Sequence, residues 1–220
     1  MNFNTKGFFL HRVSQSIKTQ SLTFFTEGQG LIQLVIFHSK KHPALVPFAL
    51  YELTIQNQPK FPQSTLKNYA FLTPERYLSL DPLKLGVSYF VCDVIRKSTH
   101  PAQQDSLAFD TLLNQSQKLL ECEYVFDFPH EFLMAWMKVL GINPEPLERA
   151  NHFDIYEGLF SMKSQEMIGA SAFNELIKGM NTQNKKVNKE AFDLMIKYLE
   201  AQVPMFNVSK TREIIHQIYH

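Results

Sequence analysis

Short apolar bursts separated by turn residues fill the first third of the chain. Phe8 to Leu10, Leu22 to Phe25 and Leu31 to Phe37 are each of strand length, and Ala49, Tyr51, Leu53 and Ile55 alternate with Leu50, Glu52, Thr54 and Gln56. A period of two buries one face of a strand and leaves the other largely wet. Between the second and third bursts, Glu27-Gly28-Gln29-Gly30 supplies glycines that take positive φ at little cost and reverse the chain tightly. Strands are therefore expected at Lys6 to Val13, Leu22 to Phe25, Leu31 to His38, Ala49 to Ile55 and Leu66 to Leu72, with Pro59 and Pro62 marking a loop. Five strands in about 75 residues fit a small closed barrel.

From Asp81 onward the period changes to that of a helix. Asp81-Pro82 pairs a capping acid with proline at the first helical position, and Leu83, Val87, Phe90, Val91, Val94 and Ile95 then share one face. Further helices are expected at Ser106 to Leu120 and at His130 to Leu140, closed by Gly141; these first three read as a bundle. Phe153 to Phe160 alternates as a short hairpin. Helical spacing returns at Ala170 to Gly179, Asn188 to Gln202 and Ser209 to Tyr219, the last with Ser209 as its cap. The class is α+β, with one domain at 1–78 and a helical one at 79–220.

Composition adds an asymmetry. The net charge is only +1, yet residues 1–80 carry eight Lys or Arg against three acids, while the remainder carries fourteen against eighteen. The strand-rich part is thus the half that attracts polyanions. Lys6, Arg12, Lys18, Lys67 and the basic loop Lys40-Lys41-His42 are its candidate phosphate contacts. Two cysteines, Cys92 and Cys122, make neither a disulfide framework nor a thiolate zinc site. No apolar run reaches the roughly 18 to 20 residues of a membrane span and no signal-peptide pattern opens the chain, so a cytoplasmic protein is expected.

Catalytic signatures are missing. The chain has no phosphate-binding glycine loop, dinucleotide fingerprint, HExxH or GxSxG. Its eight histidines have no ligand spacing, and His152 and Asp154 flanking Phe153 read as surface residues. No enzyme activity, metal or cofactor is expected.

The order of these segments resembles the RecO family of bacterial recombination mediators. Gly7-Phe8-Phe9-Leu10-His11-Arg12 is similar to that family's glycine-led first strand, and Leu22 to Gly30 to its second strand and turn. Leu45-Val46-Pro47-Phe48, the Phe109 to Leu113 segment, the helix from Phe132 to Gly141 with Pro144 beyond, and Tyr198-Leu199 followed by Ser209 to Ile214 extend the likeness over nearly the whole chain. The chain departs from the family's Lys-Gly-x-Arg-Arg loop at Phe37 to His42, lacks the four-cysteine zinc site of some members, and has Ala135 where a helix arginine is frequent.

The resemblance implies a five-stranded OB-fold barrel followed by an all-helical domain. It also implies binding of single- and double-stranded DNA, promotion of annealing, and action with RecR in loading recombinase onto gaps coated by single-stranded DNA-binding protein. The acidic tail of that coating protein would meet Phe132, Trp136 and Lys138, the last standing in for the absent arginine. Tyr51 and Phe48 are candidates for stacking on bases, with burial in the core as the opposing reading. A protein-interaction module with weak or no nucleic-acid binding, or an RNA-binding barrel, remain as alternatives.

Overall fold

The computed structural model describes residues 2–37, 44–57, 64–72, 81–101, 105–123, 125–167, 169–180 and 184–218. Among them, a mixed β-sheet N-terminal region precedes a helical C-terminal region. The strands are β1 (Asn2–Ser14), β2 (Thr19–Thr26), β3 (Gly30–Phe37), β4 (Leu50–Gln56) and β5 (Ser64–Phe71). Antiparallel pairing joins β1 to β2, β2 to β3, β1 to β4 and β4 to β5. A parallel seam between β3 and β5, in register at Leu34↔Ser64 and Val35↔Thr65, completes the order β1-β2-β3-β5-β4 as a closed barrel. Among the described residues the seam is the shortest pairing of the set.

Alternation decides what fills the interior. Tyr51, Leu53 and Ile55 point inward and are fully buried, whereas Glu52 between them is exposed. They pack with Phe9, Leu22, Phe24, Leu34, Ile36 and Leu66 as the barrel core. Phe8 and Leu10 are also buried although they flank Phe9 in sequence. Their face of β1 is covered by helices, which is why Phe8-Phe9-Leu10 runs apolar without alternating. Phe8 lies against Phe109 at 5.5 Å and Phe48 at 5.4 Å, and the Cys92 thiol donates to the Phe9 carbonyl at 3.5 Å.

Phe109 and Cys92 belong to α2 (Ser106–Glu121) and α1 (Pro82–Ser98), respectively. Asp81 caps α1 as expected, accepting the Lys84 N–H at 2.8 Å. Residues 1–121 form one compact unit and 122–220 another. The change from strand to helix, where the sequence suggests a domain boundary, therefore falls inside the first unit. Of the three helices expected as a bundle, α1 and α2 pack with the barrel, and the third is part of the second unit.

That unit contains α3 (Phe128–Val139), the hairpin β6 (His152–Asp154) and β7 (Leu159–Ser161), α4 (Ala170–Ile177), α5 (Lys185–Gln202) and α6 (Ser209–Ile218). Gly141 ends α3 in the left-handed region, with its N–H donated to Lys138 O and that of Ile142 to Met137 O. Asn184 caps α5 by accepting from Lys186 and Val187. Ser209 is the first residue of α6 rather than its cap; its own N–H is taken by the Asn207 side chain. Asp193 of α5 holds α6 through Arg212 at 2.6 Å and His216 at 2.7 Å. No described helix is long and apolar enough to cross a membrane.

Candidate nucleic-acid interface

A cleft of about 840 Å³ opens on the outer face of β1, β2 and β3. The register sets its floor in rows: His11 faces Thr23 and Thr23 faces Gln33, then Val13 faces Ser21. Gln15 and Ser64 border one end; Gln29, Leu31 and Pro101 border the other. Pro101 bridges to Leu31, so the segment leaving α1 is fastened to the strand edge and brings Arg96 and Thr99 to the wall. The floor is mostly small or amide side chains, able to donate and accept hydrogen bonds without closing the cleft.

A β-bulge determines which β1 side chains enter. Phe9 is opposite Phe24 and His11 opposite Thr23, leaving Leu10 as the extra residue. Such an insertion inverts the in-and-out parity of everything that follows. His11 and Val13 consequently face the cleft, and Arg12 shares the side of Leu22, exposed at the end of the barrel. Partial burial of His11, followed by the nearby Arg96 guanidinium, pushes its imidazole below the ordinary value, with Asp93 opposing and Lys97 adding to the effect. Arg96 and Lys97 both pair with Asp93, at 2.7 and 2.9 Å. Positive charge is thus held at the cleft wall by a fixed carboxylate.

The basic residues expected to meet phosphate are distributed unequally. Arg12 and Lys18 are both exposed at the barrel end formed by the β1–β2 turn. Lys6 is exposed on β1 opposite Glu52 of β4, and Lys67 is exposed at the register shift of β5, so these two lie along a different part of the barrel from the cleft. Lys40, Lys41 and His42 fall outside the described residues. His11, Gln33, Thr23 and Arg96 escaped the sequence reading. Their outward parity was visible for β2 and β3, but the bulge in β1 and the approach of α1 were not.

Tyr51 and Phe48 do not offer stacking faces. Both are fully buried. The Tyr51 hydroxyl accepts the Val46 N–H at 2.8 Å, and burial pushes its pKa up to about 12. Of the expected peptide contacts in the second unit, Phe132 and Trp136 are 0% and 1% exposed and stack 6.0 Å apart. They support α3 from within, leaving Lys138 as the exposed member. Among the described residues no cluster of three or more His, Cys, Asp or Glu could hold a metal ion. His152 is instead beside Lys163 at 3.3 Å, and Asp154 caps the hairpin turn by accepting from Tyr156 and Glu157.

The cleft on three strands is thus polar, with the Asp93-paired Arg96 in its wall. The chain is similar to the DNA repair protein RecO of Phocaeicola vulgatus, at 21% identity over 240 residues spanning 98% of each chain. No protein-family model matches it.

Proposed function

We propose that the protein is a non-catalytic DNA-binding mediator of recombination and gap repair, acting as RecO proteins do through an OB-fold barrel. The cleft across β1, β2 and β3 carries this reading. In OB folds the face of the second and third strands, with its flanking loops, receives oligonucleotides, and the order β1-β2-β3-β5-β4 with a parallel β3–β5 seam fits that fold. A single strand would lie along the cleft with its phosphates toward Arg96 and, at the barrel end, toward Arg12 and Lys18; Lys40 and Lys41, outside the described residues, are further proposed phosphate contacts. Binding of duplex DNA, annealing, and partnership with RecR and with the tail of single-stranded DNA-binding protein belong to the same proposal. The distant similarity to a RecO protein along the whole chain supports it. Lys138 is the residue of the second unit proposed to meet the acidic tail.

The test is fluorescence anisotropy with a labelled single strand across a salt series, using the full chain, Arg12→Glu/Lys18→Glu and Lys40→Glu/Lys41→Glu. Affinity should fall with salt, and each phosphate interaction that a variant removes should flatten the log–log slope by about 0.7. No binding even at low salt would refute direct DNA contact. Unaltered slopes in both variants would remove these four residues from it.

A further inference from the structure

Resting on the DNA-binding proposal, we infer that Phe37, with Ile17 and Val13, forms a base-stacking platform at the end of the cleft that selects single-stranded over duplex DNA. Phe37 is 60% exposed, Ile17 94% and Val13 51%. These are large apolar groups placed in water where the neighbouring inward residues Ile36 and Leu34 are buried. The register brings them to one place. Phe37 is opposite Thr19, which directly follows the β1–β2 turn bearing Ile17, and it shares the outward face of β3 with Gln33 in the cleft floor. Four residues of strand separate Gln33 from Phe37, about 13 Å, so a strand leaving the cleft reaches the ring without changing face.

Charge identifies the occupant. Lys18 adjoins Ile17 and Arg12 adjoins Val13, both exposed. Among the described barrel residues the two acids are Glu27, in the turn at the opposite end of β2, and Glu52, on β4. An apolar trio beside the exposed Lys18, on strands whose described acids lie elsewhere, suits a ligand that is flat and apolar on its faces and anionic along its backbone. Unstacked nucleobases have that character, and any base can stack regardless of sequence. In a duplex those faces are already occupied by neighbouring base pairs, so the platform acts only on single strands.

Three proteins test the inference: the full chain, Phe37→Ala and Phe37→Trp, each with a labelled single strand and a duplex of the same sequence. Loss of one stacked base should weaken single-strand binding by about 5- to 150-fold in Phe37→Ala. Duplex affinity should stay within about twofold and the salt slope should not change, because every phosphate interaction is kept. Phe37→Trp should keep full affinity, and its new indole should be quenched by the single strand against the steady signal of Trp136, which is 1% exposed. Undiminished single-strand binding by Phe37→Ala, equal losses on both nucleic acids, or an unquenched indole would each overturn the platform while leaving the DNA reading standing; the first would hand the apolar trio to a protein partner. If the unmodified chain binds neither nucleic acid at low salt, the DNA reading itself fails and the platform with it.

Discussion

Replacing Gly7 with alanine should destabilise the first unit, against the usual sign for a strand. Glycine within a strand ordinarily costs about 0.5–1 kcal/mol relative to alanine, so the generic expectation is a gain. Here a Cβ would stand 2.9 Å from Leu53 Cδ1, 3.0 Å from Thr26 Cγ2 and 3.4 Å from the Phe25 carbonyl. Leu53 is fully buried in the barrel core, so turning its side chain away must displace packed neighbours. Thr26 is held because its hydroxyl donates to Gly30 O at 3.1 Å. Moving β1 outward instead would strain pairs on both sides, Gly7↔Thr26 and Gly7↔Tyr51. Overpacking of this kind costs about 1–3 kcal/mol, which against that gain leaves a net loss of up to about 2.5 kcal/mol, centred near 1 kcal/mol. The urea midpoint by circular dichroism, with hydrogen exchange of β1 and β2 amides to localise the change, measures it. Gly28→Ala is the control: its Cβ would meet nothing nearer than Thr5 Oγ1 at 4.0 Å, and stability should hold within about 0.5 kcal/mol. Adding Thr26→Ser, which removes Cγ2 but keeps the hydroxyl, should recover part of the Gly7→Ala loss. A Gly7→Ala chain as stable as the Gly28→Ala control would refute the reasoning.

If the cleft receives a single strand as proposed, His11 should make the affinity depend on pH. Its imidazole is held below the ordinary value of about 6.5 in the free protein, and a phosphate brought into the cleft raises it, so the complex binds more protons than its parts. Affinity should therefore rise as pH falls from 7.5 toward 5.5, about tenfold for each pH unit between the bound and free values; His11→Asn should flatten the profile, and a slope that survives that change would exclude His11. In the second unit, Trp136→Ala should cost about 3–5 kcal/mol by removing a buried ring stacked on Phe132. Lys138→Glu, on the exposed side, should leave the melting curve in place but weaken binding of an acidic tail peptide by calorimetry, and unchanged peptide affinity would remove Lys138 from the proposed contact.

The elements were legible where one face meets the core and the other meets water. β4 is such a case, as is α1, whose cap and apolar stripe form as the sequence implies. Legibility failed where tertiary cover hides the period. Phe8-Phe9-Leu10 offers no alternation because helices bury the face that water would otherwise mark. Phe132 and Trp136 have the spacing of a core stripe and equally of a groove floor, and only their near-zero exposure separates the two. The cleft was hidden more deeply. Thr23, Ser21 and Gln33 look like any solvated strand face, and the wall they share comes from Arg96 and Thr99, distant in sequence. Phe37 closes an apolar run, and only its parity from Ile36 marks it as outward.

The bulge at Leu10 joins these observations into one account of how a strand serves two ends. Before it, the outward side of β1 is Phe8, buried beneath the helices against Phe109. Beyond it, the outward side is His11 and Val13, open to the cleft. Without the extra residue, parity would carry Leu10 and Arg12 to that face and turn His11 inward. A leucine would then occupy the cleft floor, and the imidazole would be forced toward an apolar core, a position that disfavours its charged form. One inserted residue thus ends the helix-covered part of β1 and begins the part that can face a ligand, which is the use of bulges to re-aim side chains beside a site. Arg12, displaced to the barrel end, joins Lys18 there, so the same insertion separates the hydrogen-bonding floor from the cationic end toward which a strand would run.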